Sequence, residues 1–368
     1  MATVEFNYSW LPGQTRRKQQ DELLFNALRA IHNTGSVQHG AREIGLSYRH
    51  VWGMLIKWQA MLNEPLVTME RGRGTRLTPF GEKLLWAEQR VNARLAPQLE
   101  SLAAELEREF QTVLNSGAET LRVHASHDLA LSQLRDLVNR DDGSPRLDVS
   151  FMGSQESLAS LVRGHCDLAG FHVSEQESKA TLAHLAYRRW LRPRTQLLVH
   201  FVGRQQGLIV ARGNPLKIRG VKDLTRSRVR FVNRQGGSGT RLLLDQLLWD
   251  GEIDKARING YDNEEFTHLA VAATIASGGA NAGIGIKAAA SRYNLDFIPL
   301  VNERYFLAVR KESTHSPAFK SLLAALKSGE FAAAVAGLPG YEAAKCGELV
   351  SIKDALPWYA STPQEKVK

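Results

Sequence analysis

Apolar residues recur along the first hundred positions at three- and four-residue spacing, the signature of helices with one buried face. Between Gln19 and Asn33, Leu23, Leu24, Ala27, Leu28 and Ile31 fall on one side. A Thr34-Gly35-Ser36 turn follows, and Ser36 is placed to cap a short second helix over Val37–Ile44. Gly45-Leu46 turns the chain again. Ser47 then caps a third helix to about Leu62, with Val51, Met54, Leu55 and Trp58 inward. A strand over 65–70, a basic tip at Arg71-Gly72-Arg73-Gly74 and a return through Thr75-Arg76-Leu77-Thr78 predict a hairpin. From Pro79 to Asn115 the pattern is one long helix. Val91, Leu95, Leu99, Leu102, Leu106, Phe110 and Val113 form a seam of the coiled-coil kind. Pro97 is expected to bend or interrupt that helix.

After Asn115-Ser116-Gly117 the period changes. Apolar strands at Leu121–Ala125, Leu147–Met152 and Cys166–Phe171 alternate with helical stretches at Leu129–Asn139 and Gln155–Arg163. Strands followed by helices imply a parallel sheet that takes ligands at its carboxyl ends. Gly207–Arg212 and Tyr305–Arg310 resemble each other, one leaving a lobe and one returning, which predicts two lobes on a double hinge. The expected fold is multidomain. An N-terminal all-α winged helix-turn-helix (19–80) leads through a linker and dimerisation helix (81–116) to an α/β two-lobed domain (120–355). The first lobe would hold 120–200 and 311–355, the second 208–305.

The candidate chemistry falls in two places. The start of a third helix in a helix-turn-helix reaches base edges. There Tyr48, Arg49, His50 and Lys57 point outward, flanked by the caps Ser36 and Ser47, and Arg49 suits a bidentate contact to guanine. Arg71, Arg73 and Arg76 would lie along phosphates or in a minor groove. The second place is Phe231–Leu248, a strand, a glycine turn and a leucine-rich helix. Such a turn aims unpaired N–H groups and the positive end of a helix dipole at a small anion. Arg234, Gly237, Ser238, Gly239, Thr240 and Arg241 are its candidates, joined by Ser126, His127 and Ser154 at other strand ends and by Thr267 at a helix start. The turn is neither a Walker loop nor a dinucleotide fingerprint.

Composition narrows the partners. A net charge of +9 favours a polyanion. Two distant cysteines supply neither a disulfide framework nor a zinc site, so no metal and no cofactor are expected. No apolar run approaches the roughly 18 residues that span a bilayer, and Met1–Trp10 is too mixed for a signal peptide, so a cytoplasmic protein off the membrane is expected. Ser126-His127-Asp128 is contiguous, and adjacent side chains diverge too far to form a catalytic triad. Arg188, Arg189, Arg192 and Arg194 around Trp190 read as a solvated face, or as an accessory contact to DNA or a subunit. The leading expectation is a non-enzymatic regulator. It would bind double-stranded operator DNA as a homodimer or homotetramer and respond to a small anionic effector. A solute-binding transport component and an enzyme on the same two lobes are the alternatives.

Gly35-Ser36, Ala41, Gly45-Leu46-Ser47-Tyr48, Val51-Trp52, Pro65-Leu66-Val67 and Leu77-Thr78-Pro79-Phe80-Gly81 resemble the winged helix of ModE-type and LysR-type regulators. The Ser-Tyr-x-x-x-Trp segment is nearer to ModE. Residues 120–350 resemble the type 2 periplasmic-binding-protein fold used as an effector domain. The closest matches are Gln206-Gly207, Gly213-Asn214-Pro215 and Gly236-Gly237-Ser238-Gly239-Thr240-Arg241. ModE itself carries small OB-like molybdate modules instead. The resemblance implies control of molybdenum- or tungsten-dependent metabolism, formate dehydrogenase operons included. Its implied effector is an oxyanion such as molybdate or tungstate, formate, or a pterin-related molecule.

Overall fold

The computed structural model describes residues 18–70, 74–114, 119–140, 145–176 and 181–359. The expected wing tip Arg71-Gly72-Arg73 and the Asn115-Ser116-Gly117 boundary lie outside the described residues, as does Met1–Trp10. The chain divides into two compact units between Ala93 and Arg94.

The first unit holds α1 (Lys18–Thr34), α2 (Val37–Glu43), α3 (Tyr48–Leu62) and the hairpin β1 (Val67–Glu70) and β2 (Gly74–Leu77). Ser36 and Ser47 accept bonds from the His39 and His50 N–H groups, so both short turns end in capped helices. Leu24, Leu28, Ile31, Val37, Val51, Leu55 and Trp58 share one core. The wing leans on the first turn: Thr75 N–H donates to Gly35 O at 2.8 Å, a close approach that Gly74 permits at φ +86°.

Helix α4 (Pro79–Leu114) crosses the unit boundary and continues through Pro97. The expected interruption does not occur. The proline removes one backbone bond from a helix of 36 residues, its ring is buried, and the Ser101 hydroxyl bonds the Pro97 carbonyl at 2.9 Å. The loss of about 3 kcal/mol that a mid-helix proline brings is offset by contacts along the helix.

The second unit runs β3 (Thr120–Ala125), α5 (Leu129–Val138), β4 (Arg146–Phe151), α6 (Ser154–Arg163), β5 (Leu168–Ser174) and α7 (Leu182–Tyr187). It continues through β6 (Gln196–Val210), β7 (Phe231–Arg234), α8 (Gly239–Asp250), β8 (Glu264–Glu265), α9 (His268–Ala276) and β9 (Ala282–Ile286), then α10 (Lys287–Arg292), β10 (Asp296–Arg310), α11 (Pro317–Leu326) and α12 (Gly329–Ala336). The sheet order is β4-β3-β5-β10-β6-β9-β7-β8. β3 is parallel to β4 and β5, and β7 is parallel to β8 and β9. The first lobe packs Leu131, Leu134, Phe319, Leu322 and Phe331 on one face of its sheet and Leu158, Leu161 and Tyr187 on the other. The second gathers Leu208, Phe231, Leu244, Leu248 and Ile284.

The lobes are joined by β6 and β10, which pair antiparallel from Gln196–Arg310 to Val210–Asp296. The two look-alike segments in the sequence are opposite halves of these strands rather than separate short ones. β5 also continues past its expected end, to Ser174, so His172 is a residue of the sheet and not of a turn.

Candidate ligand cleft and DNA-reading face

Four helices begin at the cleft. α5 is capped by Asp128, α8 by Ser238 and α9 by Thr267, whereas α6 starts at Gly153 with no side-chain cap. The first N–H groups of α6 are therefore the ones left for another acceptor. The lobes touch around this point. Ser126 and Ser154 hydroxyls lie 3.1 Å apart on the first lobe, and Gln206 Nε2 reaches Thr240 Oγ1 at 2.9 Å on the second. A Cβ on Gly239 would sit 2.5 Å from His172 Cε1, so only glycine lets α8 approach β5 this closely.

Beneath these hydroxyls lies a buried charge network that the sequence alone did not identify. Arg204 ion-pairs with both Asp128 and Glu303, all three fully or almost fully buried. Glu303 also accepts from His172 Nδ1 at 2.8 Å and Gln206 Nε2 at 2.7 Å. Asp128 accepts from Tyr341 at 2.7 Å and from the Ala130 N–H at 2.8 Å. Asp128 is thus committed to Arg204, Tyr341 and the α5 cap. Burial alone would lower the Arg204 pKa, but Glu303 and Asp128 outweigh it and hold the pKa well above the ordinary value. Burial would likewise raise Glu303, yet Arg204 and then His172 bring it down to about 2.

Arg234 stands apart from this network. It is 1% exposed, and its Nε and Nη1 have no hydrogen-bond partner among the described residues. Burial, and then repulsion from Arg204, push its pKa down to about 9, so it remains a cation at neutral pH. Its neighbour Glu265 bonds elsewhere, to Arg94 and to Thr274 at 2.7 Å. Arg234 bears on three histidines. Burial drives His127 down to about 4, His172 down and His268 well below the ordinary value, with the Arg234 charge lowering each further. Arg204 Nη2, Gln206 Oε1 and His268 Nδ1 are also buried without partners among the described residues. Surplus donors dominate this group, which suits a compact ligand rich in acceptors and negative charge.

The sequence candidates thus separate. Ser126, His127, Ser154, Arg234, Gly237, Ser238, Gly239, Thr240 and Thr267 sit on the strand ends and helix starts around the cleft. Ser238 spends its hydroxyl on the Arg241 N–H and the Gln235 carbonyl, and Thr267 caps α9. Arg241 is bound instead to Asp245 at 3.3 Å and Glu264 at 2.8 Å, stacked 4.1 Å over Tyr261, so its charge is met within its own lobe. Arg204 and Glu303 escaped notice because their partners lie 76 and 99 residues away. The available signal was Arg204 and Glu303 near the middle of two long strands.

On the first unit, Tyr48, Arg49, His50 and Lys57 are exposed on α3, and Tyr48 stacks on Trp52 with centroids 6.2 Å apart. Arg76 is exposed on β2, Ser47 is exposed, and Ser36 is half-buried at the α2 cap. No described helix is long and apolar enough to cross a membrane, and no described cluster of His, Cys, Asp or Glu is placed to hold a metal.

Comparison with known proteins agrees with this architecture. A family described as PBP superfamily domain matches residues 134–327, and one described as bacterial regulatory helix-turn-helix protein, lysR family, matches 24–82. The uncharacterized protein YvgK of Bacillus subtilis (strain 168) is 36% identical over 200 residues, 54% of this chain and 64% of its own. The molybdenum-pterin-binding protein MopB of Rhodobacter capsulatus is 38% identical over 91 residues, 24% of this chain and 34% of its own. The molybdenum transport protein ModE of Herbaspirillum seropedicae is 29% identical over 151 residues, 38% of this chain and 53% of its own. The chain thus spans less than two thirds of each of these three relatives. It belongs to the PBP superfamily, and a helix-turn-helix resembling the lysR family lies ahead of that domain.

Proposed function

We propose that this protein is a ligand-responsive transcriptional regulator whose effector is a small anion held in the interlobe cleft. The observation that carries the reading is Arg234, a buried cation whose Nε and Nη1 have no hydrogen-bond partner among the described residues. A protein retains such a charge at a loss of stability, and an anion of the right size turns that loss into binding energy. The uncapped start of α6 and the paired hydroxyls of Ser126 and Ser154 supply neutral donors beside it. The molybdenum in the names of two relatives puts molybdate and tungstate first among candidate anions, with formate next. Thermal denaturation against molybdate, tungstate, sulfate, phosphate and formate tests the reading. A ligand of the native state at a hundred times its Kd adds about 2.7 kcal/mol. No rise in midpoint with any of these anions would remove the anion from the proposal.

The partner is double-stranded operator DNA, which such a regulator meets in the cytoplasm. Exposed Arg49 and its neighbours on α3 read bases, and Arg76, with Arg71 and Arg73 of the same wing, contacts the backbone. Replacing Arg49 with alanine should weaken operator binding by about 1–3 kcal/mol and relax the preference at one base pair. Gel-shift titrations against operators varied one base at a time measure it. A variant that keeps full specificity at every position would show that Arg49 reads no base.

A homodimer suits a reader of two half-sites. Leu102 and Phe110 are 43% and 44% exposed on α4, with half-buried Leu106 between them at four-residue steps. Leu102→Glu should shift the sedimentation coefficient toward the monomer. An unchanged assembly would place the interface elsewhere.

A further inference from the structure

Helix α4 is fastened to both lobes, and both fastening points adjoin the cleft. On the first lobe, Arg135 Nη1 donates to Glu100 at 2.7 Å, and the Phe151 N–H donates to Ser101 Oγ at 3.1 Å. Phe151 closes β4 three residues before Ser154, and its ring lies 4.9 Å from that of His127. On the second lobe, Arg94 grips Glu265 with two bonds, Nε to Oε2 at 2.8 Å and Nη2 to Oε1 at 2.5 Å. Glu265 is 2% exposed, is the ladder partner of Arg234 across β7 and β8, and precedes the α9 cap by two residues. Between Arg94 and Ser101 runs a continuous helix, a stiff rod about 10 Å long at 1.5 Å per residue.

A stiff rod tied to two bodies fixes their separation. If the lobes part, one tie must let go. The first-lobe tie has two independent bonds close together, with Glu107 and Arg146 3.8 Å apart further along. The second-lobe tie is one ion pair whose arginine is half exposed to water. The tie at Glu265 is the one a single half-exposed arginine makes, and it lies beside the residue on which the anion reading depends.

We propose that the Arg94–Glu265 ion pair is the latch by which α4 senses the cleft: it is closed when the lobes are together and parts when they separate. Anion held by Arg234 keeps the lobes together and so keeps Glu265 on Arg94. Without it, lobe opening carries Glu265 away, and α4 loses its anchor on the second lobe at Arg94. The regulatory direction rests on the anion reading of the cleft. The mechanical tie does not.

Hydrogen exchange on the full-length protein and on Arg94→Gln, each without added anion and with molybdate or formate as probes, separates the two. Arg94 is half exposed, so the variant keeps its core, and Glu265 keeps its bond to Thr274. The latch predicts several-fold faster exchange in Arg94→Gln at 151–156 and 236–241, with or without anion, because an opening step has lost its restraint. It also predicts that Arg94→Gln still gains thermal stability from any anion that stabilises the parent, while that anion no longer changes its operator affinity. Exchange at both segments equal to the parent overturns the latch. An anion that regulates the variant's operator binding as it does the parent's overturns it also. A parent that gains stability from no anion defeats the cleft reading, while the exchange comparison still decides the tie.

Discussion

Arg234→Met should raise the melting temperature of the anion-free protein and abolish every anion-induced rise. The two effects have one cause. A fully buried guanidinium whose pKa is pushed to about 9 has lost much of its hydration, and its Nε and Nη1 recover none of it in hydrogen bonds among the described residues. Replacing buried ionic groups by apolar side chains of similar volume stabilises proteins by about 1–4 kcal/mol. For a domain of this size each kcal/mol is worth about 2–4 °C, so a rise of several degrees is expected. The same methionine offers no charge and no donors to an anion. An ordinary structural arginine would behave oppositely, its loss lowering the midpoint and leaving the ligand response intact. Differential scanning calorimetry of both proteins with and without molybdate distinguishes these, and a lower midpoint for Arg234→Met would refute its assignment as a binding residue.

The second large effect is at Arg204. Arg204→Met leaves Asp128 and Glu303 buried without their cation, a loss of about 3–5 kcal/mol and a fall in midpoint on the order of 10 °C. The acid limb gives an independent signature. Glu303 has a folded pKa of about 2, below its unfolded value of 4.5, so its contribution is complete above about pH 4.5 and disappears as pH falls toward 2. His127, at about 4 in the fold against 6.5 unfolded, begins to destabilise below pH 6.5 and does so increasingly down to 4. His172 and His268 are shifted in the same direction. The parent should therefore soften from about pH 6.5 and lose stability more steeply below 4.5. In Arg204→Met the steep lower limb should flatten, because Glu303 no longer prefers the charged form, while the His127 limb persists. A midpoint within about a degree of the parent at neutral pH would mean that the network contributes nothing to the fold.

The parts of the fold held by local rules were legible in the sequence. Ser36 and Ser47 announce helix starts through their hydroxyls, Gly74 marks the wing, and the alternation of Leu121, Val123 and Ala125 gives a half-buried strand. The glycine turn before α8 was legible, and with it the placing of Arg234 at a strand end and Thr240 at a helix start, because a strand, a turn and a helix adjoin in sequence. What escaped depends on distant segments meeting. Arg204 and Glu303 become partners only when β6 and β10 pair, and Asp128 joins them from a helix cap. Pro97 does not interrupt its helix for a related reason. Local propensity argues for a break, and the buried ring with the contacts of α4 to β4, α5 and β8 outweighs it. Arg241 shows the opposite limit: its position beside the turn suggested a ligand contact, but Asp245 one helical turn later claims the charge.

Arg204 and Glu303 are also ladder partners across the two strands that join the lobes. A pair of connecting strands bends when lobes move, but it does not come apart. The Arg204–Glu303 ion pair therefore belongs to the hinge itself. Arg234 lies on β7 of the second lobe, and parting of the lobes would open it to water. The unmatched guanidinium accordingly acts as a compressed spring. On the proposed anion reading, it disfavours the closed lobes until an anion meets it. Arg234→Met removes the spring, and by small-angle X-ray scattering that variant should be as compact without anion as the parent is with it.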